Sequence, residues 1–168
     1  MPNDPIVIVS AARTPMGGFQ GELKGFAAPE LGAAAIRAAV ERAKVKPEQV
    51  DEVIMGCVLP AGQGQAPARQ AALGGGLSLA TGCTTINKMC GSGMKAAMLA
   101  HDLLTAGTND TLGAGGVEAV TKPPYLPPKG RAGVRMGHAP VHDPMFFDGT
   151  GGGSDRGRPV GPLAQGSA

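Results

Sequence analysis

The stretch Asn87-Lys88-Met89-Cys90-Gly91-Ser92-Gly93-Met94-Lys95-Ala96 places a thiol among turn-forming residues, directly ahead of a helical pattern. A cysteine at the end of a strand and just before a helix sits where unpaired backbone N–H groups and the positive end of the helix dipole converge. That setting favours thiolate over thiol and suits a sulfur nucleophile. Gly91 and Gly93 let the chain turn tightly and let a substrate come close, and Ser92 completes the turn. The same N–H groups can stabilise an oxyanion on an attacked carbonyl. On spacing alone, a packed structural cysteine beside a glycine turn fits the pattern as well, because free cysteine is among the most buried residue types.

Gly91 to Ala96 also matches the G-x-G-x-x-A pattern of a dinucleotide-binding turn, with Asp110 as its ribose acid. The surroundings fit that alternative poorly. The acid belongs at the end of the next strand, whereas Asp110 precedes it, and the turn follows a third strand where the fingerprint usually follows the first.

The elements that would position Cys90 alternate between strand and helix. Residues 6–10, with Ile6, Val7, Ile8 and Val9, form a β-branched run expected as a buried strand. A Gly-rich loop follows over residues 13–26. Pro29 and Glu30 open a helix with Leu31, Ala35, Ala38 and Ala39 on one face, closed by Pro47. Residues 50–59 predict a second strand, 67–73 a short helix ended by Gly74-Gly75-Gly76, and 84–89 a third strand. Residues 92–105 are the clearest helix. Met94, Ala97, Met98, His101 and Leu104 share one face, predicted to be the buried one, and Gly107 ends it. Residues 111–120 predict a fourth strand, weakened by Gly113, Gly115 and Gly116. The alternation predicts an α/β layer structure with a parallel or mixed sheet.

Composition narrows the class further. The 168 residues allow one ordinary domain, yet 26 are alanine and only 33 are Leu, Ile, Val or Phe, so the core must be built largely from small side chains. The 28 glycines and 15 prolines are uneven: residues 121–168 carry 10 Gly and 8 Pro. A boundary is therefore placed at 120/121, with an α/β unit over 1–120 and a Gly/Pro-rich loop domain over 121–168. Fifteen Lys and Arg are interspersed with 13 Asp and Glu, which argues against a nucleic-acid partner. No apolar run is long enough for a membrane span, and the first residues lack a secretory pattern. Three cysteines without a CxxC pair point to a reducing compartment, the cytoplasm, and exclude a structural zinc site.

His138 and His142 stand four apart, but Pro140 between them opposes a metal-binding helix, so no metal is expected. His101, Cys57 and Cys83 are expected as packed residues. Lys88 and Lys95 are expected in solvent.

The segment around Cys90 resembles the nucleophile motif of the thiolases, the acetyl-CoA acetyltransferases and 3-ketoacyl-CoA thiolases. Ser10-Ala11-Ala12-Arg13-Thr14-Pro15, Val53-Ile54-Met55-Gly56, Gly64-Gln65-Ala66-Pro67-Ala68-Arg69-Gln70-Ala71, Ala114-Gly115-Gly116-Val117-Glu118, Tyr125-Leu126 and Arg135-Met136-Gly137-His138 match the family in order and spacing. The resemblance runs the length of the chain. It implies a partial thiolase-like layered fold, βαβαβαβ with a mixed sheet, followed by the start of an irregular loop domain. It implies that Cys90 attacks an acyl-CoA thioester, its own backbone N–H contributing to the oxyanion hole. A second acyl-CoA, or free coenzyme A, then accepts the acyl group. Coenzyme A is thus substrate, with no permanently bound cofactor, and the family forms homo-oligomers.

Thiolases are longer than this chain, and the resemblance places their other catalytic motifs in a second half: a G-H-P histidine, an N-E-A-F or H-E-A-F segment and a C-x-G cysteine. None occurs here. Gly137-His138-Ala139-Pro140 matches a loop of the family instead, so His138 is not assigned as a base. The chain also departs from the family at Thr111-Leu112-Gly113, at Val117 in place of a methionine, and at Val160-Gly161-Pro162-Leu163-Ala164-Gln165, a region that in the family lies beside coenzyme A. The expectation is an amino-terminal thiolase portion with its nucleophile but no acid/base partner. The alternatives are an inactive remnant or a chain that pairs with another.

Overall fold

Val53, Ile54 and Met55 are the most apolar consecutive run of the middle region, and they form the centre of the sheet. In the computed structural model, which describes residues 6–153 and Pro159, β1 spans Glu52–Gly56, β2 Gly82–Ile86 and β3 Leu112–Gly116. The strand order is β2-β1-β3 and both pairings are parallel, with Ile54 opposite Thr84 on one side and Ala114 on the other. A strand buried on both faces reads as a continuous apolar run, and β1 does so.

Helix α1 spans Ala28–Ala43, α2 Pro67–Gly74 and α3 Ser92–Thr105. Pro29 fits the first turn of α1, where its missing N–H costs nothing, and Glu30 reaches back to accept the Ala27 N–H at 2.7 Å. Lys44, at φ 56, ends the helix in the left-handed conformation. Alternation along β1 sends Val53, Met55 and Cys57 to one face, where they pack with Ala28 of α1, Ala68 and Ala72 of α2, and Leu77. The opposite face of the sheet receives α3. The result is an α/β layer structure whose helices touch it through alanine and glycine, as the composition requires.

Two expectations are corrected here. The buried face of α3 carries Ser92, Ala96 and Ala100, while Met94 is 73% and Met98 53% exposed and His101 faces solvent beside Asp102, 3.8 Å away. A helix lying close against glycine-bearing strands can only present small residues to them, and the methionine face is turned outward. Residues 7–10 are extended but belong to no strand among the described residues: Val7 is 71% and Ile8 90% exposed. They run past β3 across a cavity of about 340 Å³ lined by Ile8, Val9, Leu112 and Ala114. A β-branched run becomes a strand only where another backbone supplies hydrogen bonds.

Beyond β3 regular structure is sparse. Leu126 and His142 exchange N–H···O bonds of 2.8 and 2.9 Å, and a π-helical turn spans Met145–Thr150. Residues 160–165 lie outside the described residues.

Candidate active site around Cys90

The chain leaves β2 at Ile86 and must reverse within a few residues to enter α3. Met89 makes this possible by adopting φ 51, a left-handed conformation that a side chain resists. The turn is pinned by its neighbours. The Met89 N–H donates to Asn87 Oδ1 at 2.9 Å, and the Ser92 N–H to the Met89 carbonyl at 2.9 Å. Ser92 Oγ accepts the Lys88 N–H at 2.9 Å and donates to the Met89 carbonyl at 2.6 Å. Ser92 is buried, and its hydroxyl thus holds both sides of the turn that displays Cys90, which is exposed.

The turn seats tightly on the sheet. Gly56 ends β1 directly under Ser92, and Gly93 lies against the Gly115 and Gly116 backbone of β3. Gly93 thus admits the strand backbone, and Ser92 ties the loop.

Cys90 stands between two cavities. One, of about 1050 Å³, is lined by Cys90, Met89, Val58, His142, Phe146 and Phe147, among others. The His142 and Phe147 rings stack, with centroids 5.0 Å apart and planes at 28°. The second, of about 580 Å³, is bounded by Cys90, Ser92, Val58, Leu59, Glu118 and Phe19, among others. Both are open and mostly apolar, the kind of hollow that takes a small organic ligand with a reactive atom at its wall.

The other two cysteines differ from Cys90. Cys57 is buried at the end of β1 with Sγ 3.7 Å from Glu118 Oε1. Burial, with the Glu118 charge and hydrogen bond behind it, pushes its thiol up to about 12. Cys83 is half-buried near the Thr81 carbonyl and Arg69. Lys88 is exposed and Lys95 half-buried. His138 is exposed, away from any metal-ligand cluster: no group of three or more His, Cys, Asp or Glu able to hold a metal is present among the described residues. Asp110 stands just ahead of β3, its N–H donated to Asp51 Oδ2 at 2.8 Å, at the opposite end of the sheet from Gly91 and Gly93. A ribose acid cannot act from there.

Two residues at the site carried no predicted role. Glu118 closes the motif over residues 114–118, and a carboxylate directly after an apolar Gly-Gly-Val edge is itself a signal. The spacing of His142 from His138 suggests only a metal ligand, and its place in the cavity depends on the Leu126 pairing, which no short-range pattern announces.

Residues 6–155 match the thiolase amino-terminal domain. The acetyl-CoA acetyltransferase of Cupriavidus necator is 56% identical over 144 residues, 86% of this chain and 37% of that protein. The acetyl-CoA acetyltransferase of Schizosaccharomyces pombe is 45% identical over 165 residues, 98% of this chain and 42% of that one. The crystal structure of Acat5 thiolase from Ascaris suum in complex with coenzyme A superposes with a TM-score of 0.90 at 31% identity, covering 95% of this chain and 41% of that one. The chain therefore spans about two-fifths of the length of these relatives. No described helix is long and apolar enough to cross a membrane. With its turn, its parallel sheet and its sequence all matching over nearly the whole described length, the chain belongs to the thiolase family.

Proposed function

We propose that this chain supplies the nucleophile of a thiolase-type acyltransferase acting on acyl-CoA thioesters, as acetyl-CoA acetyltransferase or 3-ketoacyl-CoA thiolase. The observation that carries the reading is the exposed Cys90 at the head of α3, on the wall of two apolar cavities, within a matching family. Cys90 Sγ attacks the thioester carbonyl carbon, an S–C bond to Cys90 forms as the S–C bond to coenzyme A breaks, and coenzyme A leaves as thiolate. The Cys90 N–H, just ahead of α3, is the donor for the oxyanion formed on the way. A second acyl-CoA or free coenzyme A then takes the acyl group. Binding of coenzyme A is supported by the solved neighbour that holds it. The free thiols at Cys57, Cys83 and Cys90 fit a reducing, cytoplasmic setting, and self-association is proposed from the family alone.

The G-H-P and C-x-G motifs that serve as acid and base in the family do not occur in these 168 residues. The 168-residue chain is therefore expected to perform the first half-reaction without turnover. Incubation with acetyl-CoA, with and without iodoacetamide, followed by intact mass and peptide mapping, tests this. Acetylation or preferential alkylation at Cys90 without acetoacetyl-CoA thiolysis is the expected result. Turnover by this chain alone overturns the half-reaction reading, and unselective labelling of all three cysteines overturns the nucleophile assignment.

One observation favours a second reading, a chain that pairs with another polypeptide. Met94 and Met98 on α3, and Val7, Ile8 and Val9 near β3, leave apolar surface exposed. Sedimentation at increasing concentration, alone and mixed with a polypeptide carrying the missing family motifs, separates the two readings: complex formation with recovery of thiolysis supports pairing.

A further inference from the structure

Glu118 follows β3 and turns its carboxylate onto the loop that follows β1. Oε2 accepts the Val58 N–H at 2.8 Å and Oε1 accepts the Leu59 N–H at 3.1 Å. A carboxylate accepting two adjacent backbone N–H groups fixes their direction more firmly than a neutral acceptor does, since hydrogen bonds to an ionised group are the stronger kind. What it fixes is not remote from the nucleophile. Val58 lines both cavities that meet at Cys90. Its carbonyl accepts the Asn87 side-chain amide, a longer bond of 3.4 Å, and the other end of that same amide, Oδ1, accepts the Met89 N–H at 2.9 Å. Met89 is the residue in the left-handed conformation immediately before Cys90. A continuous path of polar contacts thus runs from Glu118 through Val58 and Asn87 to the backbone that aims Cys90.

We propose that Glu118 is a positioning residue for Cys90: it holds Val58, Val58 and Asn87 hold Met89, and Met89 sets the direction of the thiol. The assignment rests on the acyl-transfer reading above for its catalytic meaning, but its structural content is measurable apart from that chemistry. The alternative for a half-buried glutamate in this place is a purely local staple between β1 and β3, which would stabilise the fold without reaching Met89.

The two differ at amides that Glu118 does not touch. In the 168-residue chain, Glu118→Ala and Glu118→Gln are compared with the wild type by amide hydrogen exchange and by the rate of Cys90 acetylation from acetyl-CoA. The expected result for Glu118→Ala is faster exchange at Val58 and Leu59 and also at Met89, with acetylation slowed by about tenfold or more. Asp110 and Thr111, whose N–H groups are held by Asp51 at the other end of β1, should exchange unchanged. Glu118→Gln keeps one accepting oxygen and should recover part of both effects. Faster exchange confined to Val58 and Leu59, with Met89 unchanged, overturns the proposal, as does acetylation at the wild-type rate in Glu118→Ala. Faster exchange everywhere, including Asp110 and Thr111, shows a loss of fold instead of position and also overturns it, provided Glu118→Gln behaves the same way. A wild-type chain that is not acetylated at all sinks the acyl-transfer reading, while the exchange at Met89 still decides whether Glu118 holds the turn.

Discussion

Gly56, the last residue of β1, lies beneath Ser92, the first residue of α3, so closely that a Cβ on residue 56 would stand 2.7 Å from the Ser92 backbone carbonyl carbon and 2.9 Å from the Gly93 nitrogen. Backbone cannot rotate away as a flexible side chain can. Gly56→Ala must therefore lift the first turn of α3, and with it Cys90. A cost of about 1–3 kcal/mol is expected from the overpacking. Thermal melts should show the loss, and iodoacetamide mapping should show Cys90 losing its preference over Cys83. A variant that melts and labels like the wild type would show that α3 is free to shift.

Ser92 acts from above the same contact. Its hydroxyl joins the Lys88 N–H to the Met89 carbonyl, and it is buried. Ser92→Ala leaves the Lys88 N–H without its partner, at a cost of about 1–3 kcal/mol. Because both bonds belong to the turn and none to the core, selective Cys90 acetylation should fall more steeply than the melting temperature. The comparison of acetylation rate with melting temperature across Ser92→Ala and Ser92→Thr checks it, since threonine retains the hydroxyl.

The residues that composition and period could place are those whose neighbours are close in sequence. Val53, Ile54 and Met55 announce β1 because a central parallel strand is apolar on both faces. Cys90 at the head of a helix follows from a Gly-flanked thiol before a 3.6-residue pattern. The orientation of α3 did not follow, because a helix with methionines on one side and alanines on the other offers two plausible inner faces. The close approach of Gly93 to the Gly115 and Gly116 backbone of β3 decides between them, and Ser92, Ala96 and Ala100 become the buried side of the helix. Residues 7–10 have strand propensity, yet no described strand takes them in. Glu118 and Asn87 acquire their roles from contacts between residues 29 to 60 positions apart, which no window along the chain can see.

The outward face of α3 gives a third prediction. Met94 and Met98 are mostly exposed, so replacing both with glutamine removes little buried apolar surface. In this chain Met94→Gln with Met98→Gln should change stability by no more than about 0.5 kcal/mol per site. Had this been the core face, the same pair would cost several kcal/mol. A denaturant titration distinguishes the two. Lower aggregation in the double variant is the accompanying expectation, since an exposed methionine pair next to other apolar surface promotes association.

Asp51 couples stability to acid at the far end of the sheet. Its carboxylate accepts the Thr111 N–H at 2.9 Å and the Asp110 N–H at 2.8 Å, and these two bonds hold its carboxyl below the usual 3.8. A carboxyl depressed in the folded state adds stability above its unfolded value and loses it as pH falls through the folded one. Asp51→Asn should therefore reduce stability near neutrality and narrow its difference from wild type below pH 3.8. Melting temperatures of the two proteins between neutral and acid pH read this directly. A difference that stays constant across the range would show that the two N–H bonds contribute nothing through charge.

Cys57 sets the limit at the alkaline end. Its thiol is raised from 9.0 to about 12, by burial first and by Glu118 second. Above pH 9.0 the unfolded chain gives up this proton while the folded chain keeps it, so the unfolded state binds fewer protons and stability declines with rising pH. The decline spans the interval from 9.0 to about 12. Cys57→Ala removes the titrating group and should flatten this part of the curve, at the cost of a small loss of packing near neutrality. Glu118→Gln removes the Glu118 charge but keeps an accepting oxygen and leaves burial in place, so its total alkaline loss should fall between those of the wild type and Cys57→Ala. Melting temperatures of the three proteins over the alkaline range, with Cys57 labelling followed in parallel, test the order. Equal losses in all three would mean that the alkaline decline arises from groups other than Cys57, and would remove Glu118 from any part in it.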